Sequence, residues 1–349
     1  MRELRATTVT WKLLLLLLAA TASVVALASP SQLPAVGLKA NCTTTCGDVV
    51  VPYPFGITDG CYLLGYNLTC DTSYTPPRLF LGNGVLQVVF ISLENATVRV
   101  LGPNIPIPEA LHNENVANST WGGHQWGLNI LGPYVLSEEY NELVVVGCEL
   151  WTELMITDTQ NRDHVMSTCW SFCGARSVLD KECQASAKKK QSRRCQKCSG
   201  FRCCQVPVPF GMASYDVRVR SLSWSGYAEN MTTSVFISEE GWFKLPYNYS
   251  DRPSSGIPTI LAWAIVSDVL SLESDPRDGN ATCPTDRGST SCHSTYSTCR
   301  NIDRAYEKRT GTWAALDFST SYTCSCWDGY EGNPYIPHGC QGMHLSLSL

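Results

Sequence analysis

The sequence predicts a mainly β, multidomain secreted ectodomain built from small disulfide-rich modules. Three observations predict it: an apolar N-terminal leader, 18 cysteines that all lie beyond that leader, and short β-branched runs separated by turn-forming residues. Small modules bury too little apolar surface to offset chain entropy unaided, and in an oxidising compartment they are cross-linked by disulfides.

The leader comes first. Arg2, Arg5 and Lys12 precede an apolar run from Leu13, and Ala26-Leu27-Ala28 supplies the small residues that a signal peptidase requires. Residues 1–28 therefore read as a signal peptide, because about 16 apolar residues fall short of the ~20 that span a bilayer. Residues 29–349 exceed the usual ~100–200 of one domain and suggest two or three modules. The best later hydrophobic stretch, 257–272, is broken by Ser267 and Asp268, so no membrane span is expected after signal cleavage. Seven Asn-x-Ser/Thr sequons, at Asn41, Asn67, Asn95, Asn118, Asn230, Asn248 and Asn280, independently indicate an extracellular glycoprotein.

Net charge is −5, but residues 181–202 alone carry +7 through Lys181, Lys188, Lys189, Lys190, Arg193, Arg194, Lys197 and Arg202 against Glu182, leaving −12 elsewhere. A polyanion would meet one local basic patch rather than a general field, and a nucleic-acid role is not expected on an otherwise acidic chain.

Cysteine spacing divides the chain. Cys42, Cys46, Cys61 and Cys70 are followed by strand-like runs at 85–91 and 97–100, which gives a first β module. Residues 103–133 hold Pro103, Pro106, Pro108, Gly122, Gly123, Gly127 and Pro133, and this breaker density reads as a variable loop or linker. A second cluster runs from Cys148 through Cys169, Cys173, Cys183, Cys195 and Cys198 to Cys203-Cys204. Strands are expected at 143–146 before it and, after it, at 215–220 and 235–237; in 215–220, Tyr215, Val217 and Val219 alternate with charged residues. The polar stretch 273–280 marks a boundary. The last cluster is Cys283, Cys292, Cys299, Cys324, Cys326 and Cys340, whose six cysteines alone permit 15 pairings.

Several of these segments carry a resemblance. Cys46-Gly47-Asp48, then Val51-Pro52-Tyr53-Pro54-Phe55-Gly56-Ile57, Gly60-Cys61 and Leu68-Thr69-Cys70, resemble the galacturonan-binding domain of plant wall-associated receptor kinases, over 39–102. Cys198-Ser199-Gly200-Phe201-Arg202-Cys203-Cys204-Gln205 and the stretch 258–265 are similar to the cysteine-rich domain that follows in that family, placed at 134–272. Cys324-Ser325-Cys326-Trp327-Asp328-Gly329-Tyr330-Glu331-Gly332-Asn333-Pro334-Tyr335 resembles the family's epidermal-growth-factor-like repeat, over 283–340 with a tail at 341–349. The resemblance implies the pairs Cys283–Cys299, Cys292–Cys324 and Cys326–Cys340, and a location outside the cell, in the wall. In the family this repeat leads to a transmembrane helix and a kinase, whereas nine residues follow Cys340 here, so kinase signalling is not expected of this polypeptide.

The chemistry of enzymes is not visible. Gly82-Asn83-Gly84 lacks the third glycine of a phosphate-covering loop, and Asp317-Phe318-Ser319 lacks the glycine of a metal-binding kinase motif. The six histidines form no zinc-protease pattern, and no nucleophile elbow is present. In an oxidising compartment Cys195, Cys198, Cys203 and Cys204 are expected in disulfides rather than on a metal, so no metal and no cofactor are expected.

What the resemblance implies instead is binding of an acidic cell-wall polysaccharide, pectin. Such a polymer presents carboxylates and flat sugar faces, which suit guanidinium groups and aromatic rings. The ligand-binding residues expected on this basis are Arg78, Arg99, Tyr53 and Phe55 in the first module, with Tyr53 and Phe55 also readable as packing of a small core beside a disulfide. Lys188, Lys189, Lys190, Arg193 and Arg194 form a competing basic patch. The alternative function is a protein- or peptide-ligand interaction module, a secreted decoy or co-receptor that engages a receptor or peptide partner through the cysteine-rich and growth-factor-like regions.

Overall fold

A computed structural model describes residues 42–107, 115–129, 132–157, 161–173, 198, 200–222, 233–244, 255–266, 283–284, 290–302 and 321–342. The basic residues Lys188, Lys189, Lys190, Arg193 and Arg194 lie outside them, as do residues 1–28, expected to be a signal peptide, Cys183, Cys195 and the sequons Asn41, Asn230, Asn248 and Asn280.

The N-terminal part holds strands β1 (Thr45–Cys46), β2 (Val49–Val50), β3 (Leu68–Asp71), β4 (Arg78–Leu81), β5 (Leu86–Ser92) and β6 (Thr97–Gly102). The middle part holds β7 (Val116–Gly122), β8 (Tyr134–Leu136), β9 (Asn141–Val146), β10 (Leu150–Thr157), β11 (Asp163–Ser171), β12 (Cys203–Pro207), β13 (Ser214–Ser221), β14 (Ser234–Glu239), β15 (Ile257–Trp263) and β16 (Ile265–Val266). The last part holds β17 (Ser297–Asn301), β18 (Ser321–Cys326), β19 (Tyr330–Gly332) and β20 (Cys340–Gly342). The described residues are thus mainly β and cross-linked by disulfides.

These strands form where β-branched and aromatic residues alternate with polar ones, because every second side chain points to the same face. In β13, Tyr215, Val217 and Val219 are buried while Asp216, Arg218 and Arg220 are not, so the alternation seen in the sequence is realised. β14 differs, with Val235, Phe236 and Ile237 all buried. It belongs to a three-stranded sheet, β12-β9-β14, that has core on both faces: Leu143 and Val145 of β9 join the main core, whereas Val144 and Val146 pack with Phe236 and Phe243.

The largest sheet has the order β3-β4-β5-β6-β15-β8. The hairpins of the N-terminal part therefore do not finish their own sheet. β15 pairs antiparallel along β6, from Ile257 opposite Gly102 to Ala262 opposite Thr97, and β8 covers its far side. A four-stranded sheet, β11-β10-β13-β7, supplies Leu150, Leu154, Ile156, Val217 and Val219 to the same core.

The stretch 103–133 is not a plain linker. It contains β7 and a 3-10 turn, His124–Trp126, and it buries Trp121, Trp126 and Leu128. Three of the prolines that suggested a loop lie at 103–108, before the strand, and the glycines turn the chain after it. Gly122 has φ 79°, and a Cβ there would stand 2.3 Å from the Ala213 carbonyl oxygen. Breaker density located the bends but hid the strand between them.

The C-terminal segment, read from its sequence as growth-factor-like, is joined to the rest by backbone and side chains. β16 pairs with β18, Tyr335 packs against Trp263 at 5.6 Å between ring centroids, and Asn333 Nδ2 donates to the Tyr53 carbonyl at 2.7 Å. All described cysteines are paired: Cys42–Cys61, Cys46–Cys70, Cys148–Cys173, Cys169–Cys204, Cys198–Cys203, Cys283–Cys299, Cys292–Cys324 and Cys326–Cys340.

Candidate functional site

Alternation decides what the six-stranded sheet offers to solvent. Its inner face takes Leu68, Leu79, Leu81, Leu86, Val88, Val98 and Val100. The outer face therefore receives Arg78 and Phe80 from β4, Gln87 from β5 and Arg99 from β6. Simple alternation in β5 would also turn Phe90 inward. A bulge between Val88 and Phe90 reverses the phase, so Ile91 is buried and Phe90 stands outward opposite Arg99, 59% exposed.

Arg78 and Arg99 thus share one open face, separated by the width of β5, about 10 Å from the usual strand spacing. Phe90 lies on the strand between them. The Arg78 guanidinium carbon sits 4.3 Å from the Tyr74 ring centroid, and Tyr74 in turn lies 6.1 Å from Phe80. A stacked guanidinium keeps its in-plane donors available for a carboxylate. Arg99 is restrained differently: its Nε donates to Glu239 Oε2 at 2.8 Å, with both side chains about one-third exposed (37% and 36%). Asp71, opposite Arg78 in β3, has its carboxyl held below the usual range by hydrogen bonds from the Ser73 side chain and backbone, so it stays ionised.

The aromatic residues of the sequence motif lie elsewhere. Phe55 is 1% exposed and meets Tyr66 and Trp263 edge to face at 5.2 and 5.1 Å, so it is a core residue with no face left for a ligand. Tyr53 is half-buried, its carbonyl holds Asn333, and burial, with Tyr322 nearby, pushes its phenol up to about 12. Of the first-module residues expected to bind, the structure brings Arg78 and Arg99 together and separates Tyr53 and Phe55 from them. Tyr74, Phe80, Phe90 and Glu239 stand at the same face, and the sequence reading does not single them out. Phe90 could be found only by anticipating the bulge, and Glu239 only by knowing that β14 approaches β6.

A mainly β, multi-sheet structure stapled by disulfides defines the broad class of small cysteine-rich extracellular modules. Comparison with known proteins narrows this. Residues 42–102 match the family described as wall-associated receptor kinase galacturonan-binding, a span that holds β1 to β6 and both arginines. The chain is 30% identical over 326 residues to wall-associated receptor kinase 2 of Arabidopsis thaliana, covering 89% of this chain and 35% of that protein. Wall-associated receptor kinases 3 and 5 of the same plant are 28% and 26% identical, with 89% and 90% of this chain and 37% and 36% of those proteins covered. No solved structure matches. The chain spans about a third of the length of these relatives.

The chain is homologous to the extracellular regions of plant wall-associated receptor kinases and carries their galacturonan-binding module. The matched region is the non-kinase part. Among the described residues no kinase-like helical lobe is present, and no helix is long and apolar enough to cross a membrane.

Proposed function

We propose that the chain binds de-esterified pectin without acting on it chemically, and that the outer face of the six-stranded sheet is the contact surface. The observation that carries this is the placement of Arg78 and Arg99 on one open face with Tyr74, Phe80 and Phe90, inside the segment matched as galacturonan-binding. Two guanidinium groups pair with carboxylates along a polymer, and the rings between them accept sugar faces by apolar contact. A chain that is acidic overall needs such a local site to hold a polyanion.

The test is titration of the glycosylated chain with oligogalacturonides at rising salt, compared with Arg78→Ala, Arg99→Ala and a form with Lys188, Lys189, Lys190, Arg193 and Arg194 neutralised. Saturable, salt-weakened binding that either arginine substitution lowers about tenfold, one charge-assisted hydrogen bond of ~1.4 kcal/mol, supports this face. Loss only on neutralising the basic segment would move the site there, and no binding at all would sink the pectin reading.

A second reading rests on a different surface. Tyr296 and Tyr330 stack at 4.4 Å between centroids on the growth-factor-like segment, and Trp327 lies 5.7 Å from Tyr296. Tyr296 and Trp327 are exposed, and exposed aromatic clusters of this kind suit protein or peptide partners. If pectin binding fails, Trp327→Ala is the variant to compare for capture of a peptide or receptor partner.

A further inference from the structure

The outer face of the four-stranded sheet has no role in the reading above, yet it exposes aromatic surface. Trp151 on β10 and Trp170 on β11 are register partners with ring centroids 4.8 Å apart, Trp170 is 43% exposed, and Phe172 continues the stripe 5.8 Å beyond Trp170. Contiguous exposed aromatics on a folded surface usually have an occupant.

The charges on this face argue against a polyanion. Arg218 reaches Asp163 at 3.0 Å and Glu153 at 3.6 Å, and Arg220 reaches the same Glu153 at 3.5 Å while lying over the Trp151 ring. Each arginine already faces a carboxylate. The surface is therefore aromatic and near neutral, which suits an uncharged sugar better than galacturonate.

A source of such sugar stands on the same face. Asn118-Ser119-Thr120 is a glycosylation sequon on β7, and Asn118 is exposed, directly opposite Arg218 in the register. Arg218 Nε donates to Asn118 Oδ1 at 3.2 Å, which orients the side-chain amide and leaves its nitrogen for a sugar. Two strands across and one outward-facing position along from Asn118 is Trp151, a distance of about 12 Å from standard sheet spacings. The first sugars of a chain rooted at Asn118 can cross that gap. Tethering raises their effective concentration at the rings to the millimolar range, where even weak stacking is populated.

We propose that Asn118 carries an N-linked glycan that folds back over this sheet and covers Trp151 and Trp170. The linkage forms between Asn118 Nδ2 and the anomeric carbon of a sugar delivered by a lipid-linked pyrophosphate donor. The sugar–oxygen bond to the pyrophosphate breaks, and the amide gives up one proton. Oδ1 keeps its bond from Arg218.

The test uses the full chain secreted from a plant or insect host. Glycopeptide mass spectrometry reads occupancy at Asn118, and iodide quenching of tryptophan fluorescence reads access to the rings. Asn118→Gln and Thr120→Ala both abolish the sequon by different side chains, so a change shared by both belongs to the glycan. Covering one face of a half-exposed ring should lower iodide access about twofold, so both variants are expected to raise the Trp170 quenching constant by that factor. The rise should vanish in a background that carries both Trp151→Phe and Trp170→Phe. An unoccupied Asn118, quenching that is the same with and without the glycan, or a rise that survives Trp151→Phe combined with Trp170→Phe would each overturn the proposal.

Discussion

On the proposed reading Arg99 would serve two partners, Glu239 and a galacturonate, and that makes its role separable. Glu239 already occupies its Nε, so a galacturonate must displace one carboxylate with another. An exposed pair of this kind is worth about 0.2–1 kcal/mol, so Glu239→Ala is expected to tighten oligogalacturonide binding by up to about fivefold while Arg99→Ala weakens it. Calorimetric titration of the two variants checks the opposed signs. Phenylalanines separate in a similar way. Phe55→Ala should lower stability by about 3–5 kcal/mol, because it empties a core site, whereas Phe90→Ala should change it by less than about 0.5 kcal/mol and still weaken binding. Thermal melts alongside the titrations decide between these roles. The buried tyrosines give a pH signature. Tyr66, Tyr134 and Tyr335 have phenols raised chiefly by burial, and Tyr53 is raised to about 12. Because the folded values lie above the unfolded ~10, this stability is complete below pH ~10 and is lost as pH rises through the folded values. Alkaline unfolding above pH 10, with a cohort of tyrosinate absorbance that appears only on unfolding, is the expected result. At this scale the sequence indicates Arg78 and Arg99 as charges, but it does not place Phe90 outward, since its exposure depends on a bulge that composition does not announce.

Elements tell a related story. β13 could be read from its alternation, because one buried face imposes a period of two, and the strands at 85–91, 97–100 and 143–146 from their β-branched runs. β7 was hidden, since apart from Val116 and Trp121 its residues are polar or small and its neighbours are breakers, and it pairs along β13. The most consequential pairing is between β6 and β15, because it makes the candidate face a shared product of two distant segments. Asn141, buried at the start of β9, ties β15 to the segment that follows β8: its Nδ2 donates to the Ser137 and Ile260 carbonyls, and its Oδ1 accepts from the Ile260 N–H. An isolated fragment of residues 42–102 would leave β6 as an open edge and Val98 and Val100 without Leu261. Such edges pair with other chains. The excised fragment is therefore expected to aggregate or to show little protected amide exchange even with Cys42–Cys61 and Cys46–Cys70 formed. A monomeric, well-protected fragment that binds oligogalacturonide would show that β15 is dispensable.

For the molecule from residue 42 onward, cysteine spacing divides the chain into three parts, while packing joins them. Spacing is local and therefore readable in sequence. The contacts that join the parts are not local: Tyr66 donates its hydroxyl proton to the Ala264 carbonyl across 198 positions, and Asn333 reaches the Tyr53 carbonyl across 280. One core runs from Phe55 and Tyr66 through Trp263 to Tyr322 and Tyr335. If the three parts were independent, each would melt at its own temperature, and the smallest would depend almost wholly on its disulfides. A shared core instead couples them, because unfolding the growth-factor-like segment would strip Tyr335 from Trp263 and loosen β15 in the sheet that carries Arg99. Scanning calorimetry of the oxidised chain is expected to show a single transition whose calorimetric and van't Hoff enthalpies agree, and Tyr335→Ala should lower that one midpoint rather than detach an early peak. Its loss would also weaken oligogalacturonide binding, although Tyr335 is remote from Arg78. Two resolved transitions, with sugar binding surviving the first, would instead mean that the segments only touch and that the recognition face stands without the repeat.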